Sequence, residues 1–236
     1  MTFDPFNGFD PFGGGAGPQQ FDFLSYSPSV WLSRTGSDAS TWPDISGNDR
    51  HATQGTVDNQ PVIVAAELNG QQVRRFDGVN DMLSIPAFAQ DGDQTIIVVL
   101  KTNGIARNTF AINSTPTNDN PEMVLKGNGN LGLYWSGSYK RNAVDLVCSP
   151  SWAVLSVKLA GTSYVARVNG VQTASATFST TRPSANCYID IGNYRRQLSA
   201  QVCDMAEFLL FETALSAPDL QSAERTLGTI FGISVA

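Results

Sequence analysis

The clearest structural signal in the chain is the stretch Tyr164-Val165-Ala166-Arg167-Val168-Asn169-Gly170-Val171-Gln172-Thr173-Ala174. Its two flanking runs contain β-branched and aromatic residues, and the dipeptide Asn169-Gly170 separates them. A type I′ turn needs positive φ at both central residues, which asparagine tolerates and glycine adopts without a steric penalty. The stretch therefore predicts an antiparallel β-hairpin with a two-residue turn.

Short strands separated by turn residues extend from this hairpin in both directions. The run Thr95-Ile96-Ile97-Val98-Val99-Leu100 is continuously apolar or β-branched, which predicts a central strand with little solvent on either face. Glycine, asparagine, serine and proline clusters separate it from its neighbours, the spacing typical of a two-layer antiparallel sandwich. Further strands are expected near residues 30–32, 73–76, 82–85, 109–112, 123–126, 131–135, 152–159, 188–191 and 202–211.

The composition agrees with one all-β domain. The 236 residues can bury a substantial core, and 21 glycines, 12 prolines and only 15% charged residues favour many turns over long solvated helices. One helix is expected near the end, where Ser216 can cap and Pro218 fits the first turn. Its apolar face, formed by Leu220, Ala223, Leu227 and Ile230, is expected to cover the edge of the sandwich.

The first twenty residues differ from the rest, so the predicted division is an arm over 1–20 and a domain over 21–236. Phe3-Asp4-Pro5-Phe6 recurs as Phe9-Asp10-Pro11-Phe12, and a glycine-rich linker follows. We expect an extended arm whose phenylalanines Phe3, Phe6, Phe9 and Phe12 dock into pockets on a neighbouring subunit or larger assembly. The alternative is an arm packed on its own domain.

Charge and cysteine content exclude several classes of protein. Fifteen basic against 21 acidic residues give a net charge of −6, and without a basic cluster no nucleic-acid partner is expected. No apolar run reaches the length of a membrane span, and the start lacks the pattern of a signal peptide. Cys148, Cys187 and Cys203 are odd in number and widely spaced, so we expect reduced core residues.

Three segments outside the arm, taken in their order and spacing, carry a family resemblance. They are Trp42-Pro43-Asp44-Ile45-Ser46-Gly47-Asn48 with His51-Ala52-Thr53-Gln54, then Arg75-Phe76-Asp77-Gly78-Val79-Asn80-Asp81, then Ile191-Gly192-Asn193 with Asp204-Met205-Ala206-Glu207-Phe208-Leu209-Leu210-Phe211 and Ala214-Leu215-Ser216. Together they resemble the concanavalin A-like lectin/glucanase superfamily, specifically laminin-G-like domains. The resemblance covers about residues 26–233 and implies two curved antiparallel sheets in a jelly roll. Family members include sugar-binding modules, adhesion domains and phage virion proteins, so the fold alone does not determine function.

The sequence gives no catalytic set, and we expect a non-enzymatic protein. Glucanases of this fold use carboxylates that alternate along one strand, as in Glu-x-Asp-x-x-Glu, and no such run is present. Asp204 and Glu207 are three apart on one predicted strand, which places them on opposite faces. Glu207 is therefore expected to be structural, bonded to backbone or a loop. His51 is the single histidine, and the sequence lacks the Gly-x-Ser-x-Gly motif that would present a nucleophile to it.

No cofactor is expected, although the resemblance leaves calcium open because some members bind it. Side-chain oxygens that could serve as ligands occur at Asp44, Asn48, Asp77, Asn80 and Asp81. They lack the dense alternation of a calcium loop, and turn hydrogen bonds explain the same residues equally well.

Glycan binding needs flat aromatic faces beside planar polar groups, and two stretches offer both. The first holds Trp135, Tyr139 and Arg141, and the second holds Tyr194 and Arg195. The alternative places Trp135 on the inner face, because it shares strand parity with Leu131 and Leu133.

Taken together, the arm, the reduced cysteines and the fold resemblance predict a virion structural protein of a tailed bacteriophage, either a capsid decoration protein or a fibre or adhesin. The expected location is the virion surface after assembly in the host cytoplasm. Its expected partners are other virion proteins, further copies of the chain and host-surface carbohydrate. The alternative is a stand-alone bacterial carbohydrate-binding or adhesion module.

Overall fold

The structure is a computed structural model that describes residues 20–104, 107–113, 123–135, 138–147, 150–193 and 200–236. These residues form two antiparallel sheets, one α-helix and two short 3₁₀ helices, Phe23–Tyr26 and Val57–Asn59, which confirms the predicted all-β sandwich with a C-terminal helix. The elements are β1 (Val30–Leu32), β2 (Thr41–Trp42), β3 (Ala52–Thr53), β4 (Val62–Leu68), β5 (Gln71–Asp77), β6 (Leu83–Gln90), β7 (Gln94–Thr102), β8 (Asn108–Asn113), β9 (Met123–Lys126), β10 (Asn130–Trp135), β11 (Ser138–Val144), β12 (Ala153–Ala160), β13 (Ser163–Val168), β14 (Val171–Thr177), β15 (Ala185–Ile191), β16 (Val202–Phe211) and α1 (Ala217–Phe231).

Each sheet contains eight strands. The first sheet has the order β14-β13-β12-β7-β16-β5-β4, and β1 pairs with the second half of β16. The second sheet has the order β11-β10-β9-β8-β15-β6-β3-β2. No helix in the described part of the chain is long and apolar enough to cross a membrane.

Strand β7 confirms the prediction of a central strand that is buried on both faces. Ile96 and Val98 point into the main core between the sheets, and Ile97 and Val99 point the other way into a second hydrophobic cluster. Because both faces are apolar, the first sheet needs a cover on its outer side as well as the second sheet on its inner side.

Helix α1 supplies that cover, so it packs on the outer face of the first sheet and not along an edge as the sequence predicted. Leu220, Ala223 and Leu227 join the cluster that contains β7 and β16 side chains, whereas Ile230 is only half-buried. The reason is that Ile97, Val99 and their neighbours point to this side of the sheet, where their apolar side chains must be shielded from water. The capping prediction is confirmed, since the Ser216 hydroxyl accepts the Asp219 N–H at 3.2 Å.

The hairpin between β13 and β14 also forms as predicted. Asn169 has φ +49° and Gly170 has φ +80°, the left-handed values that a type I′ turn requires. Val168 and Val171 pair directly across the turn. Cys187 and Cys203 are buried, as expected, and Cys148 lies outside the described residues.

The prediction that Asp204 and Glu207 lie on opposite faces is wrong, because β16 contains a β-bulge. Met205 pairs with Leu100 and Glu207 with Val99, so β16 has one residue more than β7 at this point. The extra residue restores both carboxylates to the outer face of the first sheet. Sequence spacing alone could not show this, since the bulge depends on pairing with β7.

Glu207 is fully buried and has a structural position, as the sequence suggested. Its carboxylate accepts hydrogen bonds from the Trp31 indole N–H and from the Ser33 hydroxyl, and the Arg34 guanidinium lies 3.9 Å away. Burial raises the pKa of Glu207 to about 7, despite the opposing effects of the Trp31 hydrogen bond and the Arg34 charge.

Replacing Gly170 by alanine should destabilise the fold more than the same change at Gly161. Both glycines have positive φ, which costs an alanine about 1 kcal/mol. A Cβ at Gly170 would also lie 2.8 Å from the Ala236 oxygen, whereas nothing lies within 4 Å at Gly161. Urea unfolding should show a loss about 1 kcal/mol greater for Gly170→Ala. Equal losses would contradict this account of the turn.

Glu207→Gln should flatten the pH dependence of stability. The folded-state pKa of about 7 exceeds the reference value of 4.5, so the free energy of unfolding falls as pH rises through this window. The cost of ionising Glu207 is fully present above pH 7 and amounts to about 3 kcal/mol. Glutamine keeps an acceptor for Trp31 but does not titrate. Unfolding measured from pH 4 to pH 8 should therefore show a shallower decline in the variant, and parallel profiles would refute the assignment.

Candidate functional site

The two sheets present different outer faces. The first sheet is covered by α1, and the cluster beneath the helix contains no residue from the strands of the second sheet. The outer face of the second sheet instead carries polar and tyrosine side chains. We call this surface the tyrosine face, and it is the candidate ligand-binding surface.

A row of short side chains crosses the tyrosine face. Asp190 on β15 pairs with Ser84 on one side and Ala111 on the other, and the row continues through Val124 to Gly132. The Ser84 hydroxyl donates to the Asp190 carboxylate at 2.7 Å. Asp190 is 2% exposed and Ala111 is 0% exposed, so this row forms the buried floor of the face.

Two tyrosines lie on the same side of this floor. Tyr188 is two residues before Asp190, and Tyr134 is two residues after Gly132. Three antiparallel pairings connect β15 to β10, so these two strands run in opposite directions. A residue two before Asp190 and a residue two after Gly132 therefore lie on the same side of the row. Three strand spacings place the tyrosines about 14 Å apart. Both are half-buried.

Polar groups lie on the other side of the floor. Lys126 is two residues after Val124, and Asn130 is two residues before Gly132. Within the described ranges, Asn130 Oδ1 and the buried Thr109 hydroxyl have no hydrogen-bond partner. Buried polar atoms of this kind are usually satisfied by water or by a bound ligand.

The structure places Trp135 in the core, in the inner-face position that the sequence left as an alternative. Its ring is 3% exposed, contacts Phe178 edge to face at 5.1 Å, and donates from Nε1 to Thr180 at 3.3 Å. The alternation that turns Leu131 and Leu133 inward turns Trp135 inward as well. Its ring therefore faces the hydrophobic core and not a ligand.

The other predicted site residues have side chains that lie outside the part of the chain that the structure describes. The backbone of Tyr139 and Arg141 belongs to β11, but their side chains are not among the described ones. Tyr194 and Arg195 lie outside the described residues, as do the arm phenylalanines Phe3, Phe6, Phe9 and Phe12.

Sequence reasoning missed Tyr134 and Tyr188. Strand parity was the available signal, because any residue next to an inward Trp135 or Ile189 must point outward. Asp190 could have been found in the same way, as a carboxylate between two inward isoleucines.

The residues considered for calcium are engaged in turns. The Asp44 carboxylate accepts backbone N–H groups from Trp31, Ser46 and Arg50 at 2.8–3.0 Å, and His51 Nδ1 accepts the Asp44 N–H at 2.9 Å. Asn48 Nδ2 donates to backbone oxygens of the neighbouring chain segment. His51 and Asp44 thus hold the turn between β2 and β3 in shape.

The loop between β5 and β6 has the same character. Asp81 accepts the Asp77 N–H at 2.8 Å, Asp77 accepts the Val79 N–H at 2.8 Å, and Asn80 Nδ2 donates to Asn59. Burial raises the pKa of Asp81 to about 6. Among the residues that can be described, no three His, Cys, Asp or Glu side chains are grouped closely enough to hold a metal ion.

Asp204 takes part in an ion-pair network on the first sheet. Arg75 binds it through two nitrogens at 2.7 and 2.8 Å, and Lys101 lies 3.1 Å away. Burial alone would raise the pKa of Asp204, but the hydrogen bonds from Arg75 and Lys101 lower it below its usual value. Asp204 therefore stays ionised and paired, and it and Glu207 belong to separate networks although they share a face.

Comparison with known proteins gives structural similarity only. No protein-family model matches the sequence, and no curated protein matches it either. The solved structures that resemble it include a sialidase from Trypanosoma rangeli, with a TM-score of 0.61 and 12% identity over 88% of this chain and 34% of the sialidase. They also include the receptor-binding domain of botulinum neurotoxin D, with a TM-score of 0.61 and 15% identity over 88% of this chain and 54% of the domain.

A third similar structure is the ligand-binding domain of botulinum neurotoxin serotype D in complex with N-acetylneuraminic acid. Its TM-score is 0.61 and its identity 15%, over 87% of this chain and 52% of that domain. The chain thus spans about a third to a half of the length of these proteins. At such low identity the similarity shows a shared fold, so the chain is a β-sandwich of the kind found in these larger proteins.

Proposed function

We propose that the chain is a non-enzymatic carbohydrate-binding sandwich of the laminin-G-like, concanavalin A-like class that binds glycans on the tyrosine face. The main supporting observation is the pair Tyr134 and Tyr188 beside a floor of short side chains, on the sheet face that α1 leaves uncovered. The similar toxin domain solved with N-acetylneuraminic acid adds support, because it combines a related fold with a sugar ligand.

The chemistry of the tyrosine face suits a sugar. Tyrosine rings pack against the apolar C–H faces of pyranose rings. Lys126 and Asn130 add donors and an acceptor on the opposite side, and Lys126 would favour a sugar that carries a carboxylate. A few polar groups converging beside aromatic surface is the usual composition of a small-ligand site.

Binding without catalysis fits the positions of the carboxylates. Most glycosidases use two carboxyl groups on either side of one glycosidic bond. Asp190 is almost fully buried beneath the tyrosine face and bonded to Ser84. Asp204 and Glu207 are held in separate networks on the first sheet.

The finer proposal is that a tailed bacteriophage displays this sandwich at its virion surface and attaches it through the N-terminal arm. The duplicated Phe-Asp-Pro-Phe motif, followed by a glycine-rich linker, is the feature that favours an attached module. In this proposal the protein is a capsid decoration protein, fibre or adhesin that assembles in the host cytoplasm as several copies. The second candidate, a stand-alone bacterial carbohydrate-binding module, shares the same tyrosine face but needs no assembly partner.

Binding to a glycan array that includes sialylated glycans should require both tyrosines. Tyr134→Ala and Tyr188→Ala should each weaken binding by about tenfold, because each removes one stacking ring. The control Tyr26→Ala removes a tyrosine on the α1 side and should leave binding unchanged once thermal unfolding shows that it is folded. If the wild-type protein binds no glycan, or if all three variants bind alike, the tyrosine face is not a glycan site.

Replacing all four arm phenylalanines, Phe3, Phe6, Phe9 and Phe12, by serine should abolish incorporation into virions. The apolar anchors would be lost while the length and charge of the arm stay the same. Incorporation can be measured by quantitative mass spectrometry of purified particles, with Gly14→Ser in the linker as the control. Unchanged incorporation of the serine variant would exclude the arm as the attachment.

A further inference from the structure

A groove of about 840 Å³ runs beside α1, between the helix and the C-terminal segment. It lies on the α1 side of the first sheet, so it is separate from the tyrosine face. Gln20, the first residue that the structure describes, is one of the lining residues, so the described chain begins at the groove. The lining includes Gln20, Pro218, Arg225, Thr229, Ile233 and Val235.

The residues next to the groove show how this chain holds a Phe-Asp pair. Phe21 is 8% exposed, its N–H donates to the Thr226 hydroxyl of α1 at 2.9 Å, and its ring stacks on Tyr26 at 4.4 Å. Asp22 accepts the Leu24 N–H at 3.1 Å and so caps the short 3₁₀ helix. The phenylalanine supplies buried surface and the aspartate fixes a turn, both beside α1.

The arm contains the same pair twice. In Phe3-Asp4-Pro5-Phe6 and Phe9-Asp10-Pro11-Phe12, each phenylalanine-aspartate step is followed by proline. Aspartate is a favoured N-cap, and proline fits the first position of a helical turn because its missing N–H would be unpaired there. Each unit is therefore suited to form a capped turn like the one that Asp22 begins, with phenylalanines left to pack on a neighbouring surface.

The linker brings the nearer unit within reach of the whole groove. Residues 13–19 separate Phe12 from Gln20 and can span about 25 Å. The 15 residues of α1 extend about 22 Å. A short flexible linker gives an effective concentration in the millimolar range, which favours the chain's own arm over that of a second copy. Asp10 also complements Arg225, the charged side chain among the lining residues that the structure describes.

We propose that the groove beside α1 is the binding site for Phe9-Asp10-Pro11-Phe12 of the same chain. The phenylalanines pack against Ile233 and Val235 while Asp10 faces Arg225. This docking does not depend on glycan binding or on a virion, and it makes release of the arm a necessary step before the same residues can bind another protein.

Photo-crosslinking of the full chain tests this docking. Phe12 is replaced by p-benzoylphenylalanine, and equal amounts of ¹⁵N-labelled and unlabelled protein are mixed and irradiated. Mass spectrometry of the digest should find residue 12 joined to peptides containing Thr229 or Ile233, with both halves carrying the same isotope. Mixed-isotope crosslinks would show that the occupant is a second copy and would overturn the proposal, as would crosslinks confined to other surfaces.

Groove variants make the test specific. Thr229→Trp fills the groove from an exposed helix position and should lower the crosslink yield about tenfold, as expected when an aromatic anchor loses its pocket. Arg225→Glu should lower it as well by repelling Asp10. Val57→Trp, at a site that is 76% exposed and outside the groove lining, is the matched control and should not change it. Circular dichroism confirms that each variant is folded, and equal yields in folded Thr229→Trp and Val57→Trp would refute the proposal.

Discussion

The fold depends on the pairing of β7 with β16, two strands that are buried on both faces over most of their length. Side chains that alternate along them enter the main core on one side and the α1 cluster on the other. Burying a strand on both faces requires a layer on each side, so the chain must supply a second sheet and also a helix with its preceding segment. A single layer would leave one row of isoleucine, valine and leucine side chains in water.

The need to cover both faces of the first sheet also decides which surface remains to bind a ligand. Helix α1 and the aromatic residues before β1 occupy much of the outer side of the first sheet, where polar groups form ion pairs around Asp204 and between Arg167 and Glu224. In the part of the chain that the structure describes, neither hydrophobic cluster includes an outward residue of the second sheet. Its outward positions hold the buried row of Asp190 and Ala111 and, on either side of that row, half-buried tyrosine, lysine and asparagine side chains.

Local signals in the sequence were enough for the hairpin at Asn169-Gly170, for the buried run in β7 and for the Ser216 cap, because each depends on residues within one turn or one strand. They were not enough for Asp204 and Glu207, whose shared face results from a bulge that forms only when β16 pairs with β7. The tyrosine face was missed for a related reason. The parity that Trp135 shares with Leu131 and Leu133 favoured an inner position for Trp135 and an outer one for Tyr134, but the cross-strand partners decide which parity faces the core. Trp135, which composition favours as a ligand-binding residue, therefore packs in the core, and Tyr134 lies on the outer face.

The point where the arm leaves the domain and the side on which the tyrosine face lies together affect how one small domain could bind two partners. The chain leaves the domain at Gln20, beside α1 and behind the first sheet, whereas Tyr134 and Tyr188 lie on the opposite side of the sandwich. Two sheets stacked about 10 Å apart, with a helix behind one of them, separate these surfaces by the full thickness of the domain. An attachment made through the arm would therefore orient the tyrosine face away from the attached surface without any further constraint. The docking of residues 9–12 in the groove would keep Phe9 and Phe12 out of water until a partner offered them a better site, because exposed apolar segments of this kind otherwise promote association between copies.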